Sequence, residues 1–194
     1  FSRPTFNKAI KTSVDERIVI KSKYPLVRLE QLLLPVVGAQ TKIAKEDILE
    51  KGKYPVITQE ANRIIAGYTN NSKPITDVPL IVFGDHSCTY KYVDYPFVRG
   101  ADGTQLIKVN EDVILKYLYD YLQIAKIENQ GKYQRHFKHL KQAQVPIPSK
   151  DIQQQIVDEC QKVDEEYNTS RMSIEDYREK IAQVFENLQV IIRM

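Results

Sequence analysis

The chain has 194 residues, with 28 Lys/Arg against 25 Asp/Glu, a formal charge of +3 and 42% hydrophobic residues. That is enough for one substantial domain plus an appendage, while no apolar run approaches the ~18 residues of a membrane-spanning helix. Two cysteines, Cys88 and Cys160, are too few and too differently placed for a disulfide framework.

The charge is unevenly spread. Residues 1–149 carry 22 Lys/Arg against 15 Asp/Glu, and residues 150–194 carry 6 against 10, so a basic body adjoins an acidic tail. A basic body suits a polyanion and an acidic helix suits another protein. No signal peptide pattern precedes the body, so a cytoplasmic chain is expected, and Phe1 in first place is expected of a piece cut from a longer polypeptide.

Residues 1–23 read as a basic lead-in, with Ser2 before Pro4 starting a short helix that carries Phe6 and Ile10. Residues 26–34 predict a short apolar helix stopped by Pro35, and residues 42–51 a second one ended by Gly52. Residues 54–58 predict a strand, residues 59–63 a polar loop, and residues 69–74 a turn-rich connection. Strands are expected at 80–83 and 90–93, either side of the polar turn 84–88, and again at 97–98 and 105–109. Asn110 is expected to cap a helix with Glu111 and Asp112 in its first turn, burying Ile114, Leu118, Tyr121 and Ala125. Irregularly spaced strands followed by helices give an α+β fold.

Three polar stretches carry chemistry suited to nucleic acid. Gln59, Asn62 and Arg63 follow a strand end, and Gln or Asn can pair with adenine N6/N7 and Arg with guanine O6/N7. Their bland alternative is an ordinary solvated loop. Residues 84–91 (GDHSCTYK) set Asp85, His86, Ser87, Thr89 and Lys91 between two strands. A Ser–His–Asp nucleophile is disfavoured because the three are sequence neighbours without a nucleophile elbow, and His86, His136, His139 and Cys88 make no metal-ligand spacing. A polar hairpin facing DNA is the preferred reading. Residues 126–141 hold Lys126, Lys132, Arg135, Lys138 and Lys141 against Glu128 alone. Within them, Lys132, Arg135 and Lys138 suit phosphates, Tyr133 interleaves, and Gln134 and His136 suit base edges, against a solvated basic turn. Residues 94–97 (DYPF) resemble the amine-gripping motif of amino-methyltransferases, but Tyr95 replaces the first proline and no glycine-rich cofactor loop accompanies them. They are taken as a strand-to-strand turn.

Residues 145–148 (VPIP) exclude helix, and Ser149 can cap a helix directly after them. From Gln153 to Ile192, Ile156, Cys160, Val163, Tyr167, Ile174, Tyr177, Ile181, Val184, Leu188 and Ile191 recur at steps of three and four, with Ser170 interrupting. One helix roughly 60 Å long would carry this seam, a coiled coil needing a partner helix through which the chain self-associates. Its weak point is residues 168–173 (NTSRMS), and the alternative is an amphipathic helix lying on its own domain.

Taken in order, several pieces resemble the target recognition domain of the specificity (S) subunits of type I restriction–modification systems. They are Leu29-Glu30, residues 52–57 (GKYPVI), 81–86 (IVFGDH), 100–103 (GADG), 140–148 (LKQAQVPIP) and 152–157 (IQQQIV). The resemblance spans roughly residues 24–192 and divides the chain into a lead-in (1–23), a recognition domain (24–148) and a spacer helix (149–194). It implies a non-catalytic module that reads half of a bipartite duplex DNA site, and spacer helices that pair antiparallel. Catalysis would belong to an adenine methyltransferase, which binds S-adenosylmethionine, and to a restriction subunit. One recognition domain and one helix correspond to half an S subunit, or to the end of a fused methyltransferase–specificity polypeptide. The competing expectations are an amino-methyltransferase fragment acting through Asp94 to Phe97, and a coiled-coil adaptor without a nucleic-acid role.

Overall fold

The computed structural model describes residues 21–70, 73–101, 103–125 and 136–192. The lead-in helix expected around Phe6 and Ile10 lies outside the described residues, as do Lys126, Lys132, Tyr133, Gln134 and Arg135. In chain order the first elements are β1 (Leu26–Arg28), α1 (Leu29–Leu32), β2 (Lys42–Ile43), a 3-10 turn (Lys45–Asp47), β3 (Tyr54–Ile57) and β4 (Ile65–Thr69). Then come β5 (Leu80–Gly84), β6 (Tyr90–Val93), β7 (Val98–Gly100), β8 (Thr104–Ile107) and α2 (Leu115–Ile124). The last are α3 (His136–Leu140), β9 (Gln144–Pro146), α4 (Lys150–Thr169) and α5 (Ile174–Asn187). This is the expected α+β class. Among the described residues no helix is long and apolar enough to cross a membrane.

The chain divides into two compact units, each discontinuous in sequence. The first comprises Leu34–Lys108 and residues 136–138; the second gathers residues 21–33, 109–125 and 139–192. The division therefore does not fall at residue 148.

The first unit is the β unit. Its four-stranded sheet has the order β2-β7-β3-β4, with β2 and β3 parallel to β7 and β4 antiparallel to β3. A three-stranded antiparallel sheet runs β6-β5-β8. Successive strand residues point to opposite faces, so Val56 enters a small core with Ile43 and Val98. Its neighbour Ile57 enters the larger core of Ile75, Leu80, Val82, Val93 and Phe97. β5 is buried at all five positions, which is why it reads as an unbroken apolar run rather than an alternation. The helix expected over 42–51 is replaced by β2, one 3-10 turn and a bridge from Leu49 to Tyr68. Its apolar residues Ile43 and Ile48 line the sheet core instead of a helix face.

The second unit is mostly helical. Its short ribbon pairs β1 with β9 antiparallel, Val27 opposite Val145. The hinge expected at 145–148 is thus a strand in the body of this unit, with Val145 fully buried. Tyr117 and Tyr121, one turn apart on α2, donate from their hydroxyls to the carbonyls of Pro146 (2.6 Å) and Gln144 (2.7 Å). The helix expected over 26–34 is shortened to α1, because residues 26–28 are taken by the ribbon.

Asn110 does not cap α2. Its side chain accepts from Asp112 N–H in a local turn, and the helix starts at Leu115. The side chain of Gln153, wholly buried on α4, holds the backbone that leads into the helix. It accepts from Ile114 N–H (2.8 Å) and donates to the carbonyls of Asp112 (2.9 Å) and Pro148 (3.0 Å).

The apolar seam closes within the chain. The single 60 Å helix is two helices: α4 ends at Thr169, Ser170 is extended, and Ser173 starts α5 by accepting from Asp176 N–H (3.0 Å). Lys180 binds Glu166 (2.5 Å) and Tyr177 lies edge-on to Tyr167, so the two helices run antiparallel. α2 packs on both, with Phe185 of α5 beside Tyr117 (5.5 Å) and Tyr121 (5.9 Å). Ile156, Cys160, Val163, Tyr177 and Ile181 are buried here, and Tyr167, Ile174, Val184 and Leu188 are half-buried. The expectation of a seam open to a partner chain is thereby corrected: a 3.5-residue repeat serves a helical hairpin on a third helix as well as it serves a coiled coil.

Two pairs of neighbouring residues mark where the chain crosses between units. Leu33 bridges Val109 within the second unit, and Leu34 N–H donates to Lys108 C=O (2.8 Å) within the first.

Candidate nucleic-acid interface

In the first unit, three stretches distant in sequence converge: the loop 58–64 after β3, the turn 84–89 between β5 and β6, and residues 136–138. The turn is closed by its own backbone, Gly84 N–H to Thr89 C=O (2.9 Å) and Cys88 N–H to Gly84 C=O (2.8 Å). A Cβ at Gly84 would stand 2.1 Å from Ser87 Oγ and 2.9 Å from Gln59 Cβ, so a larger residue there would make the turn and the loop shift.

Gln59 ties the loop to the turn. Its amide oxygen accepts from His86 N–H (3.1 Å) and its backbone oxygen accepts from Thr89 Oγ1 (3.3 Å). The same side chain packs on Gly103, whose φ of +60° and missing Cβ leave it room. Gln59 is thus a brace, and its amide oxygen is not offered to a base edge.

Asp85, 3% exposed, accepts from Phe137 N–H (2.7 Å), while its own N–H donates to Gly103 C=O (2.6 Å). A carboxylate beside the first-turn amides of a helix is a favourable arrangement. Phe83 and Phe137 add a tilted ring contact at 6.1 Å. Asp85 is therefore the anchor of residues 136–138 rather than a group presented outward. The Ser–His–Asp reading fails on the same geometry, since Ser87 Oγ faces Thr89 Oγ1 at 2.7 Å and Asp85 holds a backbone amide.

Lys91 is the largest correction. Expected to face DNA, it is 2% exposed, with its ammonium on the carbonyls of Thr58 (2.6 Å), Arg63 (2.8 Å) and Ile64 (3.4 Å). Thr89 and His136 are buried too.

Exposed on this scaffold are Asn62, Arg63, His86 and Lys138, with Ser87 half-buried. Arg63 Nε pairs with Glu60 at 2.5 Å, a bond that holds the Glu60 carboxyl below its usual range and the Arg63 guanidinium above its own. An ion pair this exposed contributes only about 0–1 kcal/mol, so Arg63 can exchange it for a ligand. Beside the loop is a depression of about 210 Å³ lined by Ile43, Lys45, Ile48, Thr58, Gln59, Glu60, Gly100 and Ala101. Sequence reasoning missed Lys45 on its rim, having placed it on a helix. The GADG run is singled out in the sequence, but not the room that its Gly103 makes for the Gln59 side chain. Among the described residues no group of three or more His, Cys, Asp or Glu is placed to hold a metal ion. Phe97 of the methyltransferase-like DYPF run is wholly buried in the larger core and bonded through its backbone to Ile75. It has no surface on which to grip a base.

The arrangement resembles known proteins. Residues 26–175 match the family described as the type I restriction modification DNA specificity domain. The specificity subunit of an Escherichia coli type I restriction enzyme is 30% identical over 104 residues, half of this chain and 26% of that one. The S subunit of a type I restriction-modification system from M. genitalium shares the fold at a TM-score of 0.50 and 16% identity, over 88% of this chain and 46% of that one. The HsdS subunit from Thermoanaerobacter tengcongensis aligns over 96% of this chain and 49% of its own, at 12% identity and a TM-score of 0.49. The chain spans about a quarter to a half of the length of these relatives.

Proposed function

Since this chain belongs to the type I restriction modification DNA specificity domain family, a family of non-catalytic DNA-recognition modules, we propose that it reads one half of a bipartite duplex DNA site. It thereby brings an adenine methyltransferase, and with it a restriction subunit, to that site. S-adenosylmethionine and the chemistry belong to the methyltransferase. The observation that carries this reading is the convergence of two polar loops and the start of α3 in the β unit, with Asn62, Arg63, His86 and Lys138 exposed on a braced backbone. Arg63 and Asn62 supply base contacts, and Lys138 with the basic residues preceding it supplies phosphate contacts.

The helical unit serves the protein side of the assembly. Acids Asp158, Glu159, Glu165 and Glu166 lie on the exposed face of α4, and any pairing with a second recognition half uses outward faces, because the seam between α4, α5 and α2 is occupied.

Methylation mapping of the assembled complex tests the assignment. Arg63→Ala is expected to relax one base position, costing about 1–3 kcal/mol there. Lys138→Ala is expected to leave the sequence unchanged and to reduce the slope of log affinity against log salt by about 0.9. An unchanged site in the first variant removes Arg63 from recognition, and affinity independent of salt in the wild type removes the electrostatic argument.

A further inference from the structure

The loop 58–64 is pinned at both ends by one side chain. An ammonium has three N–H donors, and at Lys91 they meet three backbone carbonyls: Thr58 at the start of the loop, Arg63 and Ile64 at its end. The position lies on β6 opposite Val82, between Tyr90 and Tyr92, where an apolar side chain would pack at no desolvation cost. Burying a cation there is expensive unless its hydrogen bonds are met, and they are met by loop backbone.

We propose that Lys91 is a positioning residue for base recognition: by closing the ends of the loop it fixes where Asn62 and Arg63 stand, and so which bases the loop accepts. Lys91 touches no DNA itself. The inference rests on the assignment of this loop to DNA, and the test separates the two.

Burial holds the ammonium down to a pKa of about 8, with Glu60 pulling it up and Arg63 pushing it further down. A native pKa below the unfolded value of 10.5 means that, between pH 8 and 10.5, the unfolded chain binds more protons than the folded one. Stability from this group therefore rises with pH across that window. The loop changes in the opposite sense, because a neutral amine keeps two N–H donors for three carbonyls. Loop definition and fold stability thus part company above pH 8, a signature that a purely structural lysine does not give.

The experiment uses the full complex and two duplexes, one carrying the target mapped on the wild type and one scrambled. Lys91→Met is expected to cut the preference for the target at least tenfold, while affinity for the scrambled duplex and its salt dependence stay as in the wild type. Preference kept within twofold overturns the proposal, as does a parallel loss of affinity for both duplexes. A wild type without any preference sinks the DNA assignment itself. Should Lys91→Met fail to fold, a Cys88→Ser chain, in which no nearby thiol titrates, decides by pH. Its target preference is expected to fall severalfold from pH 7 to 9.5 while its thermal midpoint holds or rises. Constant preference across that range, or preference and midpoint falling together, overturns the proposal.

Discussion

Each unit takes a lysine out of water, and the partners differ. In the β unit Lys91 binds neutral carbonyls of one loop. In the helical unit Lys116 lies between two carboxylates on different helices, Asp120 on its own α2 and Asp164 on α4 (3.5 Å). Asp164 also accepts from the Tyr177 hydroxyl of α5 (2.8 Å). Held by backbone, a lysine defines the path of a loop and leaves the surrounding side chains free to face a ligand. Held by carboxylates, it fixes how helices pack and is indispensable to their charge balance. The β unit thus spends its buried polarity on shaping a surface, and the helical unit on joining its own elements.

The largest expected effect lies in the helical unit. Ile181→Asp puts a charge at a wholly buried seam position and is expected to cost about 4 kcal/mol or more. Loss of helical circular dichroism at a much reduced midpoint is the outcome anticipated. A well-folded variant that merely changes oligomeric state in the ultracentrifuge would return the seam to an intermolecular role. Lys116→Met comes next, at about 3–5 kcal/mol, because it removes the cation from between two buried carboxylates. A denaturant midpoint within error of the wild type would mean that Asp120 and Asp164 are satisfied without it. Gln153→Leu removes the partner of one amide and two carbonyls and is expected to cost about 2–3 kcal/mol, with faster amide exchange at Ile114. Protection at Ile114 equal to the wild type would show that some other group holds that amide. Smallest is Arg63→Ala, whose exposed pair with Glu60 contributes about 0–1 kcal/mol. Thermal denaturation should barely register a change that methylation mapping registers clearly.

The strands were legible because apolar runs of β length stand between turn residues: β3, β5 and β6 begin where they were expected and end within a residue. What local pattern cannot say is which partner an amphipathic stretch will find. Residues 42–51 hold no Gly or Pro and suit a helix, yet Ile43 and Ile48 serve a sheet, and the α4–α5 stripe fits a coiled coil and a hairpin equally. The break was nevertheless written in residues 168–173, where Ser173 precedes Asp176 by three positions, the spacing of a helix cap. At the candidate interface, residue type located the loops but not the direction of each side chain. Gln59, Asp85 and Lys91 have base- or phosphate-binding chemistry, and all three spend it inward on backbone groups. Only accessibility separates them from Asn62, Arg63 and His86, and accessibility depends on contacts far apart in the chain.

The paired crossing at Leu33/Val109 and Leu34/Lys108 has a consequence for how such a protein can change. Residues 34–108 leave and re-enter the helical framework at adjacent points, with each side of the seam hydrogen-bonded to itself. A foreign segment of different length and composition, spliced in between those two points, inherits a ready-made closure and asks little of the host. Residues 34–108 are thus one continuous insert, exchangeable at two junctions without altering the sequence of α2, α4 or α5. Residues 136–138, which return to the β unit separately, are the part such an exchange would leave behind, and a newcomer would have to reproduce the contacts that Asp85 and Phe83 make with Phe137.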